Sequence, residues 1–202
     1  MSYKIDYKSF FLPGLKYNKN EDYYYNCIVA GFQGSGKTYM AVKLATEQKH
    51  FKKIVTNIKS LEIPGKQIEK IVKLGEIYSY GVEEHVLYLL DEIHKKFPKE
   101  SKQDVDFYSF LQQMRKKKSL MIMITQEWTQ VPTWLRYPVK YIYSTKKLPF
   151  SKVFTTDVLD AQSICWSNEV NQWVAPTIET LIYKRIKKLG SYYDTNEIID
   201  AL

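Results

Sequence analysis

The 202-residue sequence predicts an α/β fold in which an open, mainly parallel sheet is flanked by helices. Short continuous apolar segments, which suit strands buried on both faces, alternate along the chain with segments of helical periodicity. A glycine-rich loop joins the first of these strands to the first helix. We expect one domain over residues 1–202, with a core at about 24–145, an N-terminal extension at 1–22 and a C-terminal elaboration at 146–202.

Seven segments have the apolar or β-branched character of strands. The five that form the predicted parallel core are Tyr24–Ala30, Lys53–Ile58, Val86–Leu90, Leu120–Ile124 and Val139–Ser144. Val86–Leu90 is a continuous apolar run that ends directly at acidic residues, which is typical of a buried parallel strand. Two extra strands are predicted in the C-terminal elaboration, at Val153–Asp157 and Thr180–Ile186.

Helices are predicted where apolar residues recur at helical spacing. The first runs from Thr38 to about Lys49, and the second from Asp104 to about Lys117. The apolar face of the first contains Met40, Leu44 and Ala45. The second contains the apolar residues Val105, Tyr108, Leu111 and Met114 at spacings of three. A further helix is predicted from Asn196 to the C-terminus.

Composition excludes several classes of protein. With 45% hydrophobic and 26% charged residues, the chain is neither disordered nor collagen-like. The net charge of +8 suits a polyanionic partner such as nucleic acid, and suits scattered solvated lysines equally well. Two cysteines, Cys27 and Cys165, are too few for a disulfide framework. Without a signal-peptide h-region or an apolar segment of about 20 residues, we expect a protein that is not secreted and has no transmembrane segment of its own.

The glycine-rich loop, with sequence GFQGSGKT at residues 31–38, fits the phosphate-binding pattern G-x-x-x-x-G-K-[ST] in full. Glycines let backbone N–H groups turn inward around a polyphosphate, and the following helix adds its positive N-terminal dipole. Lys37 is expected to contact the β- and γ-phosphates of ATP or another nucleoside triphosphate, and Thr38 to bind Mg²⁺. The predicted nucleotide-binding residues are Gly31, Gln33, Gly34, Ser35, Gly36, Lys37 and Thr38.

An acidic pair follows the predicted strand Val86–Leu90. Asp91 stands where a second Mg²⁺ ligand belongs, at the carboxyl end of a buried strand. Glu92 could accept a proton from the attacking water or orient it. Acidic residues after a strand are common, so this signal gains its weight from the phosphate-binding loop upstream. Together the two motifs predict a nucleoside triphosphatase.

A third polar site follows the strand Leu120–Ile124. Gln126 would lie near the γ-phosphate and could sense its loss, whereas Thr125 could simply be the polar end of the strand. The three histidines have no ligand-like spacing and are interpreted as structural; they are His50, His85 and His94.

The motifs together resemble the FtsK/HerA superfamily of DNA-pumping ATPases. The resemblance covers about residues 25–145 and rests on GFQGSGKT, on LYLLDE at 87–92, and on MIMITQ at 121–126 followed by VPTWLRYPVKYIY at 131–143. The chain is most similar to the genome-packaging NTPases of membrane-containing icosahedral viruses, such as the turreted viruses of archaea. A short C-terminal element, Tyr193-Asp194-Thr195, also looks like one of this family.

The resemblance implies a RecA/FtsK-HerA-like P-loop fold and a motor that hydrolyses ATP with Mg²⁺ to move double-stranded DNA without sequence specificity. It further implies a homo-oligomeric ring, capsid-vertex or membrane proteins as partners, and a location in the host cytoplasm or the virion. A cellular or plasmid translocase remains an alternative origin.

The resemblance also implies an arginine finger that reaches the neighbouring subunit. Arg115 occupies the family's position, in the helix before the strand that ends at Gln126, and Arg136 is the second choice. Family members usually carry a small residue soon after this arginine, whereas this chain has three lysines at 116–118, so the local turn can differ. A solvated arginine in a basic helix is the plainer interpretation of Arg115.

Two basic segments with aromatic residues are candidates for contact with DNA phosphates, at 94–99 and 146–152. The first follows the acidic pair, and we expect its lysines Lys95, Lys96 and Lys99 to line the pore of a ring. An ordinary solvated loop fits this segment equally well. Trp128 could stack on a base, although a buried indole is the plainer interpretation.

Two alternatives from other classes stay open. A nucleoside or nucleotide kinase shares the phosphate-binding loop, although such kinases usually clamp phosphates with several arginines and this chain has three. A nucleotide-binding structural component of a virion, with weak hydrolysis, would need the loop but not the acidic pair. A GTPase is disfavoured because no Asn-Lys-x-Asp follows the loop, and an ABC-type ATPase because the Ser-Gly-Gly signature is missing.

Overall fold

The computed structural model of the chain describes residues 26–77, 84–149, 151, 153–169 and 171–194. The strands within these residues are β1 (Asn26–Ala30), β2 (Lys53–Thr56), β3 (Gln67–Lys70), β4 (Val86–Leu90), β5 (Leu120–Thr125), β6 (Val139–Lys147), β7 (Val153–Asp160), β8 (Cys165–Ser167), β9 (Gln172–Val174) and β10 (Thr177–Lys184). The helices are α1 (Lys37–Glu47), α2 (Ile93–Lys96), α3 (Val105–Gln113), α4 (Thr133–Arg136) and α5 (Lys187–Gly190), with short 3₁₀ turns at Trp128–Gln130 and Ala161–Ser163.

Eight of the described strands form one sheet in the order β10-β7-β6-β1-β5-β4-β2-β3. The six strands from β6 to β3 are mutually parallel, and β7 and β10 extend the sheet as antiparallel neighbours. This architecture confirms the predicted mainly parallel α/β sheet with extra C-terminal strands. Because β5 lies between β1 and β4, the carboxyl ends of these three strands open at the same edge of the sheet.

The sheet has a hydrophobic cluster on each face, because successive strand residues point to opposite sides. On one face Cys27 and Val29 of β1 pack with α1. On the other face Ile28 of β1 packs with Tyr88 of β4 and with the residues of α3. All five residues of β1 and all five of β4 are buried, which is the pattern expected of central parallel strands.

Helix α3 is shorter than the predicted helix. Its Asp104 N-cap accepts a hydrogen bond from the Phe107 backbone N–H at 2.9 Å, and the helix ends at Gln113 rather than near Lys117. Val105 is 71% exposed, whereas the buried residues are Phe107, Phe110, Leu111 and Met114. A strict three-residue spacing drifts around a helix of 3.6 residues per turn, so of the apolar residues at that spacing only Leu111 and Met114 are buried.

Three described strands were not predicted: the edge strand β3 and the hairpin formed by β8 and β9. The β3 sequence is Gln-Ile-Glu-Lys, and its residues are exposed or half-buried, so it lacks an apolar run. The predicted start of the first strand at Tyr24, the extension at 1–22 and the helix from Asn196 lie outside the described residues. None of the described helices combines the length and apolar character needed to cross a bilayer.

The C-terminal segment 187–194 crosses the sheet on the α1 side. It begins beside β10, at one edge of the sheet, and its helix α5 contacts α1. At its other end, the Tyr192 carbonyl accepts a hydrogen bond from the Glu62 N–H at 2.7 Å, and the Asp194 N–H donates to Ser60 Oγ at 2.8 Å. Ser60 and Glu62 follow β2, near the opposite edge, so the segment joins the two sides of the molecule.

Candidate nucleotide-binding site

The loop between β1 and α1 curls tightly at the carboxyl edge of the sheet. The Gly31 N–H donates to the Gln126 carbonyl at 3.0 Å, and the Ser35 N–H donates to the Phe32 carbonyl at 3.0 Å. Gly34 and Gly36 have φ of 76° and 87°, which residues with a Cβ rarely adopt. These glycines let the loop turn back before α1 begins, so that the N-terminal amides of α1 face the opening of the loop.

Close contacts with Thr145 attach the loop to strand β6. A Cβ on Gly31 would lie 2.2 Å from Ser35 Oγ and 2.4 Å from Thr145 Oγ1, so the loop can approach β6 only with glycine there. Thr145 Oγ1 donates to the Ala30 carbonyl at 3.0 Å, which leaves Ser35 Oγ, 3.0 Å away, as the donor to Thr145. The buried Ser35 hydroxyl and its backbone N–H are both used within the loop, so Ser35 shapes the loop from beneath.

Asp91 and Thr38 meet at the end of β4. Thr38 Oγ1 donates to Asp91 Oδ2 at 3.2 Å, and the Glu92 N–H donates to Asp91 Oδ1 at 2.7 Å. The Asn57 amide holds the Asp91 backbone from β2, donating to its carbonyl at 2.9 Å and accepting from its N–H at 2.8 Å. Burial raises the pKa of the Asp91 carboxyl to about 6, opposed by its hydrogen bonds and by Lys37.

A cavity of about 500 Å³ opens above these groups. Of the residues predicted to bind or hydrolyse the nucleotide, those that line it are Gln33, Gly34, Gly36, Lys37, Thr38, Asp91, Glu92 and Gln126. The phosphate-binding loop, the acidic pair and the end of β5 therefore face one space. Gly31 and Ser35 lie beneath it, where they shape the loop.

Glu92 has an unusual backbone conformation, with φ of 55° and ψ of 37°. A non-glycine residue in this left-handed region is strained, and such strain is common at functional sites. The Glu92 side chain is 16% exposed, and its Oε2 atom is buried without a hydrogen bond from any described residue. Its carboxylate is therefore able to interact with a ligand or a water molecule in the cavity.

Sequence reasoning missed the far wall of the cavity, which is formed by Tyr39, Phe154, Arg185 and Tyr193. Tyr39 stacks on Phe154 with ring centroids 6.2 Å apart, and its hydroxyl accepts from the Ile186 N–H at 2.9 Å. Burial raises the pKa of Tyr193 to about 12, so this phenol is neutral at physiological pH. An aromatic wall with one guanidinium suits the base, sugar or α-phosphate of a nucleotide. The sequence signal that could have indicated Arg185 is that the chain contains only three arginines, so each is a candidate for contact with the nucleotide.

The other predicted residues lie outside the cavity. Arg115 is exposed at the turn between α3 and the amino end of β5, at the opposite edge of the sheet from the phosphate-binding loop. Arg136 hydrogen-bonds Thr133 at 3.0 Å and lies 5.4 Å from the ring centroid of Trp128, which is half-buried. Neither Arg115 nor Arg136 lines the cavity of its own chain.

The lysines predicted to contact DNA divide into two groups. Lys95 lines the nucleotide cavity, with its Nζ 3.9 Å from Glu92 Oε2. Lys96 and Lys99 are exposed on the segment that follows, which is anchored by the buried ring of Phe97. The structure thus separates a lysine beside the acidic pair from two lysines that face solvent.

The oxygen atoms at the end of β4 have the chemistry of a Mg²⁺ site. Carboxylate and hydroxyl oxygens suit this hard cation, which commonly binds one or two protein ligands and takes the rest from phosphates and water. Among the described residues, no group of three or more His, Cys, Asp and Glu side chains could enclose a metal by itself. The donor set fits an ion carried by a nucleotide rather than a closed protein cage.

A family model described as the ATPase family associated with various cellular activities (AAA) matches residues 27–142. This match spans more than half of the chain and includes the phosphate-binding loop, the acidic pair and Gln126. The chain therefore belongs to the AAA ATPase family. The sequence matches no curated protein.

Several solved structures share the fold. The N-terminal domain of zonular occludens toxin from Neisseria meningitidis is 20% identical, with a TM-score of 0.61 over 85% of this chain and 99% of that domain. The genome-packaging NTPase B204 from Sulfolobus turreted icosahedral virus 2, in complex with ATP-gammaS, is 11% identical, with a TM-score of 0.52 over 75% and 96%. The RadB recombinase is 17% identical, with a TM-score of 0.52 over 79% and 86%. The chain thus resembles the viral packaging NTPase, and at these identities the likeness concerns the fold.

Proposed function

We propose that this member of the AAA ATPase family hydrolyses ATP, or another nucleoside triphosphate, with Mg²⁺ and uses the energy to translocate double-stranded DNA into a viral capsid. The observation that carries the hydrolytic part is the convergence of Lys37, Thr38, Asp91, Glu92 and Gln126 on one cavity. A binding-only protein needs the first two residues, whereas the last three are the groups that cleavage requires.

Each side chain has a role that follows from its position. The amides of the phosphate-binding loop and the Lys37 ammonium hold the β- and γ-phosphates. Thr38 and Asp91 would hold Mg²⁺, which neutralises phosphate charge when it is bound. Glu92 orients the attacking water and accepts its proton, and Gln126 contacts the γ-phosphate from the end of β5.

The DNA-translocating part rests on charge and on the packaging enzyme among the similar folds. Helix α2 starts immediately after Glu92, so a shift at the acidic pair is passed directly to the segment that carries Lys96 and Lys99. Exposed lysines of this kind bind DNA phosphates irrespective of sequence. We place Lys96 and Lys99 at the DNA path, and assign Lys95 to the nucleotide site.

A ring of identical chains is part of the proposal, because the arginine finger has to come from a neighbour. Arg115 lies far from the cavity of its own chain, so it can act only across a subunit interface. A finger of this kind contributes on the order of 10³–10⁵ in turnover in well-characterised NTPases. Capsid-vertex or membrane proteins would anchor the ring.

The main experiment measures phosphate release from ATP and GTP by material of known oligomeric state, with double-stranded DNA, with single-stranded DNA and without DNA. We expect Mg²⁺-dependent hydrolysis that double-stranded DNA stimulates and that Lys37→Ala abolishes. Stimulation by single-stranded DNA alone would contradict the assignment of a double-stranded substrate. A phosphorylated product after incubation with nucleosides would indicate a kinase, and nucleotide binding without phosphate release would indicate a structural component.

Two variants test the DNA path. Lys96→Ala combined with Lys99→Ala should weaken DNA stimulation several-fold while basal hydrolysis stays unchanged, because both side chains lie outside the cavity. The matched control is Lys52→Ala combined with Lys116→Ala, which removes the same charge from exposed positions near the amino ends of the strands. Equal losses in both double variants would indicate an effect of net charge alone.

A mixing experiment tests the finger. Arg115→Ala and Lys37→Ala chains, each inactive alone, should recover partial activity in mixed oligomers, because an intact cavity then meets an intact finger. If mixed oligomers form and no ratio restores phosphate release, the finger in trans has to be abandoned.

A further inference from the structure

The side chain of His94 lies between two parts of the site. Its Nε2 atom is 3.2 Å from Glu92 Oε2, and its Nδ1 atom is 3.2 Å from Thr125 Oγ1. Only 16% of the side chain is exposed, so solvent competes weakly for either contact. His94 therefore connects the acidic residue at the end of β4 with the last residue of β5.

The tautomer of His94 follows from its two neighbours. Desolvation lowers the pKa of His94 below its usual value, so the ring is neutral and carries one proton. Because a carboxylate can only accept, that proton belongs on Nε2, which faces Glu92. Nδ1 then accepts from the Thr125 hydroxyl at 3.2 Å, which is shorter than the alternative contact of that hydroxyl with the Glu127 carbonyl at 3.3 Å. This bond fixes the orientation of the imidazole and keeps Nε2 directed at Glu92.

Glu92 needs a partner of this kind. Its backbone lies in the left-handed region, and its Oε2 atom accepts no hydrogen bond from the described residues. Within 4 Å of this atom lie nitrogen atoms of two described side chains, His94 and Lys95, both on α2. His94 is the closer of the two, and it is the one tied to β5 on its other side.

The same end of β5 is bonded to the phosphate-binding loop. The Gln126 carbonyl, one residue after Thr125, accepts the Gly31 N–H at 3.0 Å. A continuous set of contacts therefore runs from the first glycine of the loop through the end of β5 and the His94 imidazole to Glu92. A change in the loop or at Gln126 can reach the Glu92 carboxylate by this route.

We propose that His94 is a positioning residue that fixes the Glu92 carboxylate relative to the end of β5. Glu92 is then placed for hydrolysis only when the phosphate-binding loop and Gln126 are in their nucleotide-loaded arrangement. The inference rests on the proposed hydrolytic function. It gives a role to a histidine whose sequence position suggested none. His94 itself touches neither the phosphates nor the water.

Two substitutions separate the two ring nitrogens. His94→Asn can keep a polar partner for Thr125 but is too short to reach Glu92, whereas His94→Gln places an amide near the position of Nε2. We expect His94→Asn to lower kcat by about 10- to 100-fold with less than a twofold change in KM and in nucleotide affinity, a typical cost of removing an outer-shell partner. His94→Gln should recover at least half of the lost activity on a logarithmic scale.

A third variant tests the link to β5. Thr125→Val replaces the hydroxyl with a methyl group of similar size, so it should lower kcat while leaving the melting temperature and nucleotide affinity close to wild type. In combination with His94→Asn it should cost little more than His94→Asn alone, because both remove the same link. Should His94→Asn fail to fold, Thr125→Val decides the question alone.

The outcomes distinguish this inference from the proposed function. Wild-type kcat in His94→Asn or in Thr125→Val overturns the positioning role and leaves the hydrolytic function standing. Multiplicative losses in the double variant also overturn it, because the two residues would then act independently. A wild-type protein that releases no phosphate from any nucleotide, with or without DNA, overturns the proposed function and the inference with it.

Discussion

The six parallel strands and the antiparallel C-terminal part contribute opposite walls to the same cavity, and the two walls differ in chemistry. The parallel part supplies an ammonium, a hydroxyl, two carboxylates and an amide from the ends of β1, β4 and β5. The C-terminal part supplies Phe154, Arg185 and Tyr193. We infer that the wall from the parallel part, here called the cleaving wall, carries out bond cleavage. The wall from the C-terminal part, here called the holding wall, binds the remainder of the nucleotide.

The largest expected effect comes from the cleaving wall. Glu92→Gln keeps the size of the side chain and removes its capacity to accept a proton, so kcat should fall by about 10²–10⁴. ATP affinity, measured by fluorescence titration, should remain within twofold of wild type. Glu100→Gln, at an exposed position, is the matched control and should behave as wild type. Loss of affinity in Glu92→Gln would mean that this wall also carries binding.

The second prediction concerns stability. Burial raises the Asp91 pKa from 3.8 to about 6, so the folded chain holds this proton more tightly than the unfolded chain does. The stability that this carboxyl contributes is complete below about pH 4, is lost as the pH rises through about 6, and stays lost at higher pH. Without Mg²⁺ at pH 7.5, Asp91→Asn should therefore be more stable than wild type by up to about 3 kcal/mol. With Mg²⁺ and ATP present, the same variant should show no hydrolysis, because it lacks the carboxylate proposed to bind the ion.

Thermal unfolding in the presence of a chelator checks this prediction at several pH values. The gain in melting temperature should be largest above pH 7, shrink between pH 6 and 4, and disappear below pH 4. Glu100→Gln should show no gain at any pH. A lower melting temperature for Asp91→Asn at pH 7.5 would indicate that the ionised carboxylate stabilises the metal-free site.

The smallest effect is expected from the holding wall. Arg185 lies against Gly190, where a Cβ would come within 2.9 Å of its Nε atom, and this contact supports the guanidinium beside the cavity. Arg185→Ala should raise KM and the ATP dissociation constant by about 10- to 100-fold, the worth of a charge-assisted hydrogen bond, with kcat within threefold of wild type. Arg185→Lys should recover part of the affinity, and Lys188→Ala, nearby and exposed, should have no effect.

A reversed pattern in this last comparison would be informative. If Arg185→Ala lowered kcat and left affinity unchanged, the guanidinium would stabilise the transition state in its own chain. The division between the two walls would then be incorrect, and the need for Arg115 from a neighbouring chain would be smaller.

The cleaving wall could be predicted from sequence because its residues follow local rules. A phosphate-binding loop has a fixed spacing, and buried strands such as β4 and β5 are continuous apolar runs whose first polar residue marks the carboxyl end. Strand alternation then places these ends at one edge. The same local rules predicted α3 and its start at Asp104, although the helix ends at Gln113 rather than near Lys117.

The holding wall could not be predicted in the same way. Tyr39 meets the segment after β10 through a hydrogen bond from the Ile186 N–H, 147 positions away, and no short pattern encodes that contact. The polar edge strand β3 carries no apolar run, because an edge strand is partly solvated. His94 shows the same limit, since its contact with Thr125 joins it to a residue 31 positions away, at the end of β5.

The segment 187–194, which joins the two sides of the molecule, has a mechanical consequence. Sheets are twisted, and a change of twist that alters the distance between β10 and the loop after β2 would strain these eight residues, which are hydrogen-bonded to that loop. Tyr193, which lines the cavity, lies within that span. Filling or emptying the cavity should therefore alter the curvature of the whole sheet, including edges that no nucleotide atom touches.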